Sequence, residues 1–211
     1  AFSTLGFFNN NVPTMVYASL DSIAITFDQG PHAISASYQK TSTIGSKDPT
    51  AISPSLFTLI SSTQYSLTIT NLEEGISYSF FFTLTSSIGG NSYTYSPTSF
   101  DFSTLGFSTN PTVTPTVNSL VVTYTIVDGD SISIGYRKKN VGDFDTSVSP
   151  DSTGFTLSDL DEGALYEIRF TFTNAAGFSA AKTQDYSTVG FSVTPSVVDL
   201  GYNTFAILYD Y

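Results

Sequence analysis

Leu160-Asp161-Glu162-Gly163-Ala164-Leu165-Tyr166 opens a run that continues through Phe170 and Phe172 to Asn174-Ala175-Ala176-Gly177. It consists of a leucine, an acidic bend holding a glycine, a tyrosine six residues after the leucine, and then apolar side chains at alternate positions. Alternation with period two places one row of side chains on one face of an extended chain, so the run predicts a half-buried strand starting at the tyrosine. The same pattern stands 88 residues earlier as Leu72-Glu73-Glu74-Gly75-Ile76-Ser77-Tyr78, and it closes at Ser87-Ile88-Gly89.

A second marker repeats beside the first. Phe2-Ser3-Thr4-Leu5-Gly6-Phe7 recurs identically as Phe102-Ser103-Thr104-Leu105-Gly106-Phe107 and, with small changes, as Tyr186-Ser187-Thr188-Val189-Gly190-Phe191. Self-similarity at such spacings marks a repeated structural module. The phase of the markers reads residues 1–5 as the end of a preceding repeat, 6–104 as module 1, 105–188 as module 2 and 189–211 as the first strands of a third. Ser-Thr-Leu or Ser-Thr-Val runs straight into Gly-Phe, which leaves no flexible linker, so the expectation is a rod of abutting modules.

Further strands follow from alternation and turn residues. In module 1 they are 12–17, 22–27, 34–38, 65–69, 78–85 and 99–104; in module 2 they are 121–126, 132–137, 155–160, 166–173 and 183–188. No stretch sustains an apolar period of 3.6, the helical signature. Short strands with frequent turns, in modules of this size, predict all-β antiparallel two-sheet sandwiches.

On the run from Leu160 to Gly177, and on Leu72, Gly75, Tyr78 and Ser87-Ile88-Gly89 in module 1, the sequence resembles the fibronectin type III family. The resemblance implies tandem immunoglobulin-like β-sandwiches, with a tyrosine corner at Tyr78 and at Tyr166, where a hydroxyl bonds back to upstream backbone and pins the crossing between sheets. It also implies a core aromatic on the second strand. The family's Trp is missing there, and Phe27, Tyr124 and Tyr209 are placed in that slot.

Composition bounds the function. Lys+Arg 7 against Asp+Glu 18 gives a net charge of −11, which repels nucleic acid. Without Cys, and with His32 as the only histidine, in a Gly30-Pro31-His32 turn, neither a zinc site nor a serine triad has its usual parts. No phosphate-binding glycine loop occurs, and no cofactor is expected. The acidic turns around Asp128, Asp143 and Asp159 read as solvated turn formers. The neighbouring carboxylates Glu73-Glu74 and Asp161-Glu162 read as surface bends lacking the separated environments that acid–base catalysis needs.

The expected role is therefore non-catalytic: a structural array of an extracellular or cell-surface fibre, stalk or matrix protein. The start at Ala1 reads as part of a longer precursor, and no segment of 18 apolar residues suggests a membrane span. Expected partners are neighbouring repeats of the same chain and other copies in a filament, with O-linked glycans near Thr112–Thr116 and Thr194-Pro195-Ser196. The alternative is an adhesion or recognition module binding a protein or glycan through loops such as 41–59. The positive cluster Arg137-Lys138-Lys139 is a candidate docking point for a sulfated glycan or an acidic neighbour, set against its reading as a solvated strand end.

Overall fold

Module 1 begins with β1 (Thr14–Ala18), β2 (Ile23–Asp28) and β3 (Ala33–Lys40), and its middle segment holds β4 (Thr50–Ala51) and β5 (Phe57–Leu59). β6 (Gln64–Ile69), β7 (Ser77–Ile88), β8 (Asn91–Tyr95) and β9 (Phe100–Ser103) complete it. The structure, a computed structural model, describes residues 12–28, 33–88, 91–95, 99–148, 150–151, 153–191, 193–201 and 204–210. At Leu84, 86–88, 91–95, 193–195, 199–201, 204–205 and 209–210 it describes the backbone alone. Residues 1–5 and the His32 turn lie outside the described residues.

One sheet of module 1 runs in the order β1-β2-β6-β5 and the other β4-β3-β7-β8, with β9 also paired to β7. β8 and β9 follow the same flank of β7, meeting Leu84–Ile88 and Ser77–Phe80 respectively. Two antiparallel sheets with this strand order make an immunoglobulin-like sandwich. Alternation decides what fills it: Ile23, Ile25, Phe27, Leu67 and Ile69 from the first sheet meet Ala36, Tyr78, Phe80 and Phe82 from the second. The Phe27 and Phe82 rings, 5.2 Å apart, join the two layers. A buried aromatic pair of this kind adds about 1 kcal/mol beyond its area burial.

Module 2 is built from β10 (Phe107–Pro115), β11 (Leu120–Ile126), β12 (Ser131–Lys138), β13 (Gly154–Leu157), β14 (Leu165–Thr173) and β15 (Ser179–Ser187). Its sheets are β10-β11-β13 and β12-β14-β15. The burial of β14 alternates along its length, with Tyr166, Ile168, Phe170 and Phe172 inward. A hairpin of β16 (Val193–Gly201) and β17 (Thr204–Asp210) follows. By contact density the compact units are Ala1–Ser108 with Ile126–Asp130 and Thr173–Ala180, and Thr109–Thr125 with Ser131–Phe172 and Ala181–Tyr211. Both sandwiches are antiparallel and all-β.

Four details differ from the sequence expectation. The segment 41–59 is not plain loop, since it carries two 3-10 turns, β4 and β5, and it buries Ile52. β10 had no alternation to announce it, because Pro111 and Pro115 interrupt it; proline is tolerated there since β10 lies at the edge of its sheet. β8 pairs with Leu84–Ile88 of β7, beyond the point where the sequence expectation closed the strand. The strand expected over 155–160 ends at Leu157, and Leu160 is buried beyond it with its N–H donating to the Asn118 carbonyl (3.0 Å).

Candidate functional site

The two repeated markers meet. In module 1 the Thr104 hydroxyl donates to the Glu73 carbonyl (2.7 Å) and accepts from the Ile76 N–H (3.0 Å). The Gly75 N–H donates to the Leu105 carbonyl (3.1 Å), and the Leu105 N–H to the Ser19 carbonyl (2.8 Å). Glu74 Oε1 accepts from the Phe107 N–H (3.0 Å), the first residue of β10. Module 2 repeats each bond. Thr188 donates to the Asp161 carbonyl (2.6 Å) and accepts from the Ala164 N–H (2.9 Å), while Gly163 donates to Val189 (3.3 Å) and Val189 to Thr116 (2.9 Å). Glu162 Oε1 accepts from the Phe191 N–H (3.2 Å).

This clasp explains why glycine stands inside each marker. Gly106 has φ +119°, and a Cβ there would lie 2.1 Å from the Glu74 Cγ; Gly190 has φ +121° and would meet the Glu162 Cγ at 2.2 Å. Each glycine thus lets a glutamate lie across the chain as it leaves the sandwich. Thr104 and Thr188 are fully or nearly fully buried, so their bonds run where water does not compete.

Beside each clasp sits a tyrosine. The Tyr78 hydroxyl accepts from the Glu73 N–H (2.8 Å), and that of Tyr166 accepts from the Asp161 N–H (2.9 Å), five residues upstream in both cases. Burial pushes the Tyr78 phenol above its ordinary pKa. Of the second-strand aromatics, Phe27 and Tyr124 are buried. Tyr124 donates its hydroxyl proton to the Asp151 carbonyl (2.7 Å), and burial, with the nearby Asp151 charge, pushes its pKa up to about 12. The Tyr209 side chain lies outside the described residues.

Each cation of the basic cluster faces a carboxylate. Arg137 pairs with Glu167 (2.6 Å), Lys138 with Asp161 (3.0 Å) and Lys139 with Asp185. The Arg137 bond holds the Glu167 carboxyl below its usual range, and the carboxylate bonds raise Lys138 and Lys139. Two guanidiniums lie over the Phe144 ring, that of Arg137 at 4.5 Å and that of Arg169 at 4.5 Å from its centroid. Such contacts hold the loop on the sheet and use the positive charge within the module. No group of three or more metal-ligating side chains occurs among the described residues.

Asp130, in the turn after β11, has a buried Oδ2 with no hydrogen-bond partner, and burial raises its pKa to about 6. In module 1 a cleft of about 300 Å³ lies between Lys40, Lys47, Asp48, Asn71 and Glu73, with the Lys40–Glu73 ion pair (2.5 Å) at its rim. Its two cations and two carboxylates balance. Sequence reasoning missed the glutamate clamps and the two threonines. The signal was present in the repetition of Gly75, Thr104 and Gly106 as Gly163, Thr188 and Gly190, but the partnership between the markers needs coordinates.

The chain is similar to a two fibronectin type-III domain segment from chicken tenascin, at 16% identity and a TM-score of 0.38. That likeness covers 84% of this chain and 98% of the tenascin segment. No family model matches the chain, and no curated protein matches it. No helix among the described residues is long and apolar enough to cross a membrane.

Proposed function

We propose that the chain is a non-catalytic structural segment of an extracellular or cell-surface repeat array, in which sandwich modules succeed one another without a free linker. One observation carries the reading. The clasp recurs bond for bond at two places 84 residues apart in the chain. A module that serves only as a platform for binding loops has no need to fix where the next strand starts, whereas a shaft does. Partners in this reading are neighbouring repeats and further copies in a filament, with O-linked glycans on the threonine–proline stretches. The low charge and hydroxyl-rich composition suit a surface outside the cell.

The test is native-state proteolysis. Residues 104–108 and 188–191 should resist cleavage as long as the sandwiches themselves persist. Rapid cleavage at both joints in otherwise folded protein would remove the shaft reading. A second reading, recognition of a partner through 41–59, is favoured by the exposed Ile44, Leu56 and Leu59 in and beside that segment. It predicts a bound partner released by substitution there, with the joints unaffected.

A further inference from the structure

Asp128-Gly129 stands in the turn between β11 and β12, and it is the one place in the sequence where an aspartate precedes a glycine. No asparagine does. The side-chain carboxyl carbon of an aspartate lies where the amide nitrogen of the next residue can close a five-membered ring on it. A side chain on that next residue hinders closure, and glycine has none. A carboxylate tied by hydrogen bonds, or an amide already donating, hinders it as well.

Both reacting groups of this pair are uncommitted. Asp128 is exposed, and its carboxylate makes no hydrogen bond or ion pair among the described residues. The Gly129 N–H likewise donates to none of them. One backbone bond closes the turn, from the Asp130 N–H to the Val127 carbonyl (3.1 Å), and it spans the pair without engaging it. Gly129 has φ +84°, and nothing lies within 4 Å of where a Cβ would stand, so the turn is open on that side. Other places with the same chemistry are held. Asp151 Oδ1 takes the Thr153 N–H (2.7 Å), the Thr153 hydroxyl (2.9 Å) and the Gly154 N–H (2.7 Å). Asp21 Oδ1 takes the Ser19 hydroxyl (3.0 Å), and Asn174 Oδ1 takes the N–H groups of Ala176 (3.1 Å) and Phe178 (3.0 Å).

We infer that Asp128 is a modification site, at which the folded chain converts spontaneously to isoaspartate. The Gly129 nitrogen attacks the Asp128 side-chain carboxyl carbon. As the new C–N bond forms, the carboxyl hydroxyl leaves with the amide proton as water, and a succinimide results. Water then adds at the main-chain carbonyl carbon of Asp128, breaks its bond to the Gly129 nitrogen and leaves a free carboxylate there. The chain now runs through the former side chain. One water departs and one returns, so mass is unchanged and no oxidant or cofactor takes part. The product has an extra backbone carbon inside the ring that the Val127–Asp130 bond closes, beside the buried Asp130 Oδ2. The inference is independent of the array reading, since it uses a single turn.

The test is to age the full 211-residue chain for weeks in mildly acidic buffer at body temperature and then to map its proteolytic peptides. Methyl transfer from labelled S-adenosylmethionine by an isoaspartate-specific methyltransferase reads the product. The peptide holding Asp128 should split into two species of equal mass and take up at least tenfold more label than those holding Asp21 or Asp151. Asp128→Asn reaches the same ring by losing ammonia, so it should form the product several-fold faster. Asp128→Glu would need a six-membered ring, and it should abolish the label at this turn. An aged wild-type chain whose Asp128 peptide stays single and unlabelled overturns the inference. So does label spread evenly over the other aspartates, an Asp128→Asn chain that is no faster, or label that persists at this turn in Asp128→Glu.

Discussion

Tyr78 and Tyr166 each keep one backbone N–H satisfied with a phenol oxygen that is itself withdrawn from water. Removing the hydroxyl keeps the ring and deletes that bond. Tyr78→Phe and Tyr166→Phe should each destabilise the protein by about 1 kcal/mol, read as a shift in denaturant midpoint at constant m. Equal midpoints for both variants and wild type would take the structural role away. Asp130 gives a prediction of the opposite sign. Its carboxyl is raised to about 6 in the folded chain, against about 4 when unfolded. Below both values the group is neutral in each state and costs nothing. As pH rises through 4 to 6 the unfolded chain ionises first, so stability is lost across that window. Asp130→Asn should remove this loss and stabilise the protein at pH 7 by about 1 kcal/mol, the figure being held down because the site is only partly buried. An unchanged pH–stability profile would count against it. The tyrosines were legible in the sequence because their spacing from a leucine and a glycine is fixed. Asp130 was not, because a turn aspartate looks the same whether it is solvated or covered.

At the level of elements, alternation revealed the strands whose two faces differ most, such as β2, with Ile23, Ile25 and Phe27 inward, and β14. It failed for β10, whose prolines and exposed flanks erase the pattern, and for β5, which is three residues long. The clasp was half legible: both markers stood out as repeats, but a threonine within Phe-Ser-Thr-Leu-Gly-Phe looks like any strand hydroxyl. Thr104→Val and Thr188→Val keep the shape and leave a buried N–H and carbonyl without their partner. Each should cost about 2 kcal/mol, well above an exposed Thr→Val on the same strands. Gly106→Ala and Gly190→Ala force a Cβ into the glutamate at a φ that alanine rarely adopts, and each should cost about 1–3 kcal/mol. A Gly106→Ala chain with wild-type thermal stability would show that the glutamate moves aside freely, and that the clasp holds little.

For the whole molecule, the net charge of −11 opposes association at every distance that salt does not screen. The acidic balance was plain in the sequence, but the outer position of β5 in its sheet was not, since nothing in a one-dimensional reading tells an outermost strand from an inner one. The clasp also bears on how this chain can be divided. The bonds that complete the first sandwich are made by Leu105 and Phe107, and those that complete the second by Val189 and Phe191. A gene fragment trimmed at Thr104 or Thr188, one residue past the last strand, would discard the residues that close its own sandwich and leave the Gly75 or Gly163 amide open to water. The transferable cassette, the piece that could be moved into another protein with its stability intact, extends past the final strand and borrows the opening phenylalanine of its successor.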